Sequence, residues 1–158
     1  MSVVTKTGDD GKSRWQGKIV DKDSELLEAI GEIDELMAVV AVAGENIKGI
    51  NKITDSVNRE LYYLSGYLAG YTIKLDLKKS IELVESDILR MEKEAGPIEE
   101  FLKAGKQLNV WLNWVRVVVR RIERRIVRLD KVKRLDKDVM IFINRLSDYF
   151  FILARVIK

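Results

Sequence analysis

Apolar residues recur along most of this chain in steps of three and four, the spacing that draws one face of an α-helix. Leu26, Ile30, Ile33, Met37 and Val40 form the first such stripe. Ser24 is placed to cap its start, Glu25 and Glu28 stand in the first turn where they complement the helix dipole, and Gly44 offers a stop. A second helix is predicted over about 49–73 from Ile53, Val57, Leu61, Leu64 and Leu68. Its Gly66 and Gly70 require close backbone packing there. A third, about 79–94, carries Ile81, Val84, Ile88 and Met91, and Gly96-Pro97 ends it. The fourth, about 105–130, is the longest, with Leu108, Leu112, Val115, Val119, Ile122, Ile126 and Leu129. The fifth, about 136–157, carries Val139, Phe142, Leu146, Tyr149, Leu153 and Val156, and is apolar almost all round from Tyr149 to Leu153.

No strand pattern competes with these periods. Residues 1–22, with Gly8, Gly11 and Gly17 among polar neighbours, predict an ordered loop or arm. The expected fold is therefore all-α: an up-down, ferritin-like five-helix bundle with an N-terminal loop arm, residues 1–158 forming a single domain. Trp111, Trp114, Val117, Val118, Phe150 and Phe151 exceed the needs of one bundle core, which predicts a homo-oligomer.

Composition narrows the chemistry. The chain holds no Cys and no His. That excludes disulfides, thiol nucleophiles, Ser-His and Cys-His catalysis, and zinc sites built on those ligands. Chemistry must rest on charge placement, on carboxylates, or on a reactive centre brought by a bound molecule. No signal peptide and no long uncharged apolar run is present, so a soluble, cytoplasmic protein without membrane contact is expected. The net charge of +3 is too mild to imply nucleic acid by itself, yet it is uneven. Between Lys103 and Arg134 eleven Lys or Arg face two acids.

Three polar clusters interrupt the apolar pattern. On the fourth helix Arg116, Arg120 and Glu123 share one face, each one residue after a core position, so they flank the core. Arginines there can hold a phosphate bidentately while their stems stay packed, or they can form an intersubunit salt-bridge ladder. Asp34 on the first helix follows Ile33 as Arg116 follows Val115, so an Asp34–Arg116 pair is geometrically reasonable, within a chain or across a subunit boundary. On the fifth helix Asn144 and Asp148 lie one turn apart, either as a polar network tying helices together or as a ligand contact through Asn144. At the N-terminus, Thr5-Lys6-Thr7-Gly8-Asp9-Asp10-Gly11 is a turn, or a loop whose backbone N–H groups and hydroxyls face an anion.

These blocks in this order resemble the PduO-type ATP:cob(I)alamin adenosyltransferases, the corrinoid adenosyltransferases. Besides the three clusters, the matching stretches are Asp21-Lys22-Asp23 leading to Glu28–Leu36, and Leu61–Ala69. The runs Arg116-Val117-Val118-Val119-Arg120-Arg121-Ile122-Glu123-Arg124 and Asn144-Arg145-Leu146-Ser147-Asp148 carry most of the specificity. The resemblance implies a cobalamin adenosyltransferase-like bundle assembled as a homotrimer, with ATP and the corrinoid, cobalamin, bound as substrates at each subunit interface. It assigns the triphosphate, with Mg²⁺, to Thr5, Lys6, Thr7, Gly8, Asp9, Gly11 and Lys22. Arg120, Glu123 and Asn144 would also meet ATP, and Arg116 would pair with Asp34 of a neighbour. Phe101 matches the aromatic that crowds the lower face of the corrin. Arg120, Asp34, Arg116 and Phe101 are thus the candidate catalytic residues. A corrinoid reductase or a cobalamin-dependent mutase is the implied protein partner.

Some segments depart from the family pattern. Phe101-Leu102-Lys103-Ala104-Gly105-Lys106 stands where many members read Phe-Ile-Leu-Pro-Gly-Gly, and Leu112-Asn113 replaces the usual Leu-His. Both changes fall on the corrinoid side. The rival expectations are a paralogue that binds ATP, or stores or delivers the corrinoid, without turnover, and a basic helical module for nucleic acid.

Overall fold

The computed structural model describes residues 6, 8–73 and 75–157. Five helices form: α1 (Glu25–Asn46), α2 (Asn51–Leu68), α3 (Lys78–Ala95), α4 (Val110–Val132) and α5 (Lys137–Val156). Before them stand two short strands, β1 (Lys12–Trp15) and β2 (Lys18–Asp21), paired antiparallel with Lys12 opposite Asp21 and Trp15 opposite Lys18.

The helix starts follow local chemistry. Ser24 Oγ accepts the N–H of Leu27, as its position predicts. Asn109 Oδ1 takes the N–H groups of Trp111 and Leu112 at 3.1 and 3.3 Å, which opens α4 at Val110 rather than near 105. The preceding segment turns instead, with Gly105 at φ 77°. At the other end of α2, Gly70 adopts φ 79° and the helix stops at Leu68, short of the expected 73. Gly44 does not stop α1. It lies buried within the helix, where an added Cβ would meet Thr54 Oγ1 of α2 at 2.6 Å. The glycine is there for close helix approach. Gly66 makes room for the segment that follows α2, since a Cβ there would meet the tip of the Ile73 side chain.

The helices lie side by side in the order α2, α1, α4, α5, α3. Cross-helix contacts set their directions. Asn58 Nδ2 of α2 donates to Met37 O of α1 at 3.1 Å, and Arg121 and Arg125 of α4 pair with Glu32 of α1. Glu85 of α3 pairs with Arg145 of α5, and Arg155 of α5 donates to Ala95 O at the end of α3. These pairings make α3 parallel to α5 and every sequential neighbour antiparallel, an up-down bundle. The predicted stripe of the fourth helix, Leu108 through Leu129, is buried at every position. Val118 and Phe150 are buried too, so they belong to the core of one chain and not to the surplus that an oligomer would cover. Trp114 and Val117 stay about half exposed, at 45% and 51%. No described helix is long and apolar enough to cross a membrane.

The N-terminal arm is a hairpin, not a plain loop. Its turn, Gln16-Gly17, has φ of 46° and 76°, the two positive values of a tight turn matched to strand twist. Four-residue strands carry too few alternating positions to stand out in sequence. Gln16 Nε2 donates to Ala69 O at 2.8 Å, tying the turn to the end of α2.

Candidate functional site

Two antiparallel helices present matched polar stripes. Arg116, Arg120 and Glu123 sit at successive turns of α4, beside the buried residues Val115, Val119 and Ile122. Asn144, Asp148 and Phe151 sit at successive turns of α5. The antiparallel register sets Glu123 against Asn144, whose Nδ2 donates to Glu123 Oε1 at 3.0 Å. Two turns away, the Arg116 guanidinium lies 5.7 Å from the centre of the Phe151 ring. Arg120 falls between them, level with Asp148.

The arginine row of α4 divides by partner. Arg121 reaches Glu32 at 3.0 Å and also Glu35, while Arg125 reaches Glu28 and Glu32 at 2.5 and 2.9 Å. This ladder lies within one chain, binding α4 to α1, and neither arginine had been given a separate role by spacing. Arg116 and Arg120 have no carboxylate partner among the described residues. Arg116 Nε donates instead to Asn113 Oδ1 at 3.0 Å, and the backbone carbonyl of Arg120 is capped by Arg124. Burial, and then the neighbouring Arg120 cation, pulls the Arg116 guanidinium below its ordinary pKa. Two neighbouring cations that repel each other, neither ion-paired among the described residues, form a place where an anion is stabilised.

Asp34 does not meet Arg116 within the chain. The register of α1 against α4 puts Asp34 near the level of Arg121, on an exposed part of α1, whereas Arg116 turns toward α5. Of the two arrangements that the spacing allows, the intrachain one is excluded.

The hairpin brings the N-terminal loop to Lys22. Pairing of Lys12 with Asp21 sets the two ends side by side, and the N–H of Lys22 bonds Gly11 O at 3.0 Å. Lys22 Nζ donates to Gly8 O at 2.5 Å, and a Cβ on Gly8 would stand 2.9 Å from that ammonium. Gly11 turns with φ 77°, and Lys6 and Asp9 are exposed. Thr5 and Thr7 lie outside the described residues. The turn at the far end of the hairpin rests on the end of α2, and among the described residues no hydrogen bond or ion pair joins the Lys22 loop to Arg116, Arg120, Glu123 or Asn144.

Phe101 is 88% exposed on the segment between α3 and α4. Arg155 ties that segment to α5 through the carbonyls of Ala95, Gly96 and Pro97. The segment also supplies Ile98 to a cavity of about 370 Å³ between α3 and α5, shared with Ile88, Leu89, Phe151 and Ile152. No cluster of acids among the described residues forms a cage for a metal ion.

Two residues absent from the predicted site are bonded to its Asn144 directly or in series. Arg145 Nη1 donates to Asn144 Oδ1 at 2.8 Å, and Arg145 Nε donates to Glu85 Oε1 at 2.6 Å. Arg145 stands within the Asn144–Asp148 run, whose spacing is a signal for it. Glu85 carries no local signal, because its partner lies on another helix.

Comparison with known proteins follows this geometry. The profile of the family described as cobalamin adenosyltransferase matches residues 3–157. The chain is 35% identical to the corrinoid adenosyltransferase of Bacillus subtilis, an alignment covering 100% of this chain and 87% of that one. With the human corrinoid adenosyltransferase MMAB it shares 31% identity over 97% of this chain and 67% of the other. A variant PduO-type ATP:corrinoid adenosyltransferase from Lactobacillus reuteri, solved in complex with cobalamin and ATP, superposes with a TM-score of 0.90. It is 30% identical, over 98% of this chain and 92% of that one.

Proposed function

The chain belongs to the cobalamin adenosyltransferase family, and from that premise we propose how its residues divide the work of adenosylating a corrinoid. The activity is ATP-dependent transfer of the 5′-deoxyadenosyl group to the corrinoid, with ATP and cobalamin as small-molecule substrates. In this reading the reduced cob(I)alamin supplies an electron pair from Co(I) to C5′ of ATP. A cobalt–carbon bond forms, the C5′–oxygen bond breaks, and triphosphate departs with the electron pair. No proton is abstracted, which suits a chain without His or Cys. The protein must position the two substrates and stabilise the charge of the leaving group.

The observation that carries the reading is the pair of cations Arg116 and Arg120, neither ion-paired among the described residues, beside the Glu123–Asn144 bond. Arg120 meets the triphosphate. Lys22 and the loop through Gly8, Asp9 and Gly11 meet it from the other side. Mg²⁺ arrives as part of the ATP complex, which asks for phosphate oxygens and water more than for a protein cage.

No bond among the described residues joins the two parts within one chain, an arrangement that accords with a site closed between subunits of a homotrimer. There the exposed Asp34 of one subunit is available to Arg116 of the next, and Trp114 and Val117 gain cover. The exposed Phe101 takes the corrinoid side. Cytoplasmic residence and delivery to or from a corrinoid reductase or a cobalamin-dependent mutase complete the reading.

Neighbouring arginines provide the test. Arg120→Ala should lower kcat/KM for ATP by roughly 10²–10³-fold, as loss of a donor to developing charge does. Arg121→Ala should remove only a partly exposed pair with α1, costing under about 1 kcal/mol of stability and little activity. Equal losses from both would overturn the assignment.

A further inference from the structure

An asparagine amide has one acceptor end and one donor end, so its orientation depends on what faces each. At Asn144, Oδ1 accepts from Arg145 Nη1 at 2.8 Å, and Nδ2 donates to Glu123 Oε1 at 3.0 Å. Turning the amide over would set NH₂ against a guanidinium and a carbonyl oxygen against a carboxylate. Both contacts would become repulsive. Arg145 therefore decides which end of Asn144 is presented to Glu123.

Arg145 needs help to do so. Adjacent residues on a helix point in different directions, so its guanidinium must be drawn sideways to reach Asn144. Two carboxylates compete for it. Glu85 of α3 accepts from Nε at 2.6 Å, while Asp148, one turn along α5, stands 4.0 Å from Nη1. Without the Glu85 charge, Asp148 becomes the stronger attraction and draws the guanidinium along α5, away from Asn144 Oδ1. Glu123 would then lose its fixed donor.

We propose that Glu85 and Arg145 are positioning residues for ATP. Through them α3, which supplies no residue to the Arg116–Arg120–Glu123–Asn144 cluster, fixes the Asn144 amide and the Glu123 carboxylate. The proposal rests on the assignment of Asn144 to ATP, so its test includes that residue. Titration calorimetry of the full chain with MgATP, and KM for ATP and for the corrinoid, are measured for Asn144→Ala, Glu85→Gln and the double variant. Glu85→Gln should weaken ATP binding roughly three- to tenfold, the size of one hydrogen bond's net contribution. KM for the corrinoid should stay unchanged. In the Asn144→Ala background Glu85→Gln should add nothing, because its route to ATP is already cut.

Arg145→Lys keeps the charge but not the fork that reaches Glu85 and Asn144 together, so it should reproduce the loss even if Glu85→Gln folds poorly. Additive losses in the double variant, or normal ATP affinity in Glu85→Gln beside a weakened Asn144→Ala, would overturn the positioning role. Normal ATP affinity in Asn144→Ala would overturn the site assignment itself.

Discussion

Neighbouring residues of one type divide here by what the fold sets beside them. Arg116 and Arg121 are both arginines on α4, yet one lies over an aromatic ring and an amide while the other closes onto two glutamates. Helical period alone placed Arg116, Arg120 and Glu123 on one face of α4, because each follows a core position by a fixed angle. It could not tell Arg116 and Arg120 from the ladder arginines. That distinction depends on Glu28, Glu32 and Glu35, some ninety residues away along the chain. Glu28 was legible only as a first-turn acid.

Tyr149 offers a separate residue-scale prediction. It is buried on α5, and burial, with Asp87 nearby, pushes its phenol up to about 12 from 10.0. A folded-state pKa above the unfolded value means stability fully present below pH 10 and lost as pH rises toward 12. Between about pH 9 and about pH 11.5, the urea midpoint of the native protein should therefore fall further than that of Tyr149→Phe. Parallel falls would show that Tyr149 does not carry this dependence.

At the scale of elements, the bundle was legible and the arm was not. Long stripes such as Leu108–Leu129 repeat often enough to fix a helix, and every predicted position of that one is buried. The ends of helices depended on contacts that periodicity does not encode. Gly44 reads as a stop but permits Thr54 to approach, and Gly105 lies in a turn ahead of the Asn109 cap. The hairpin escaped notice because its turn, Gln16-Gly17, lacks the Asn-Gly or Asp-Gly signal usual for such a conformation. Its consequence is functional, since it sets Lys22 against Gly8 and Gly11. Gly17→Val would force a β-branched residue to φ 76° and open the turn, at a local cost of about 1–3 kcal/mol. KM for ATP should rise while the far-UV helical signal and melting midpoint of the bundle hold. Unchanged ATP kinetics would separate the arm from nucleotide binding.

At the scale of the whole molecule, no bond among the described residues joins the loop with Lys22 to the stripes of α4 and α5. A shared site predicts complementation. Lys22→Ala and Arg120→Ala should each be nearly inactive as pure assemblies. After unfolding and refolding together, mixed assemblies should regain activity, because some interfaces then pair an intact loop with intact helices. Activity no greater than the sum of the separate variants would place the site within single subunits. The central claim concerns turnover. Purified protein given MgATP and chemically reduced cobalamin should develop the spectrum of adenosylcobalamin, with one triphosphate released for each cobalt–carbon bond formed. Bound ATP with neither adenosylcobalamin nor triphosphate produced would contradict that claim and leave a protein that holds its substrates without joining them.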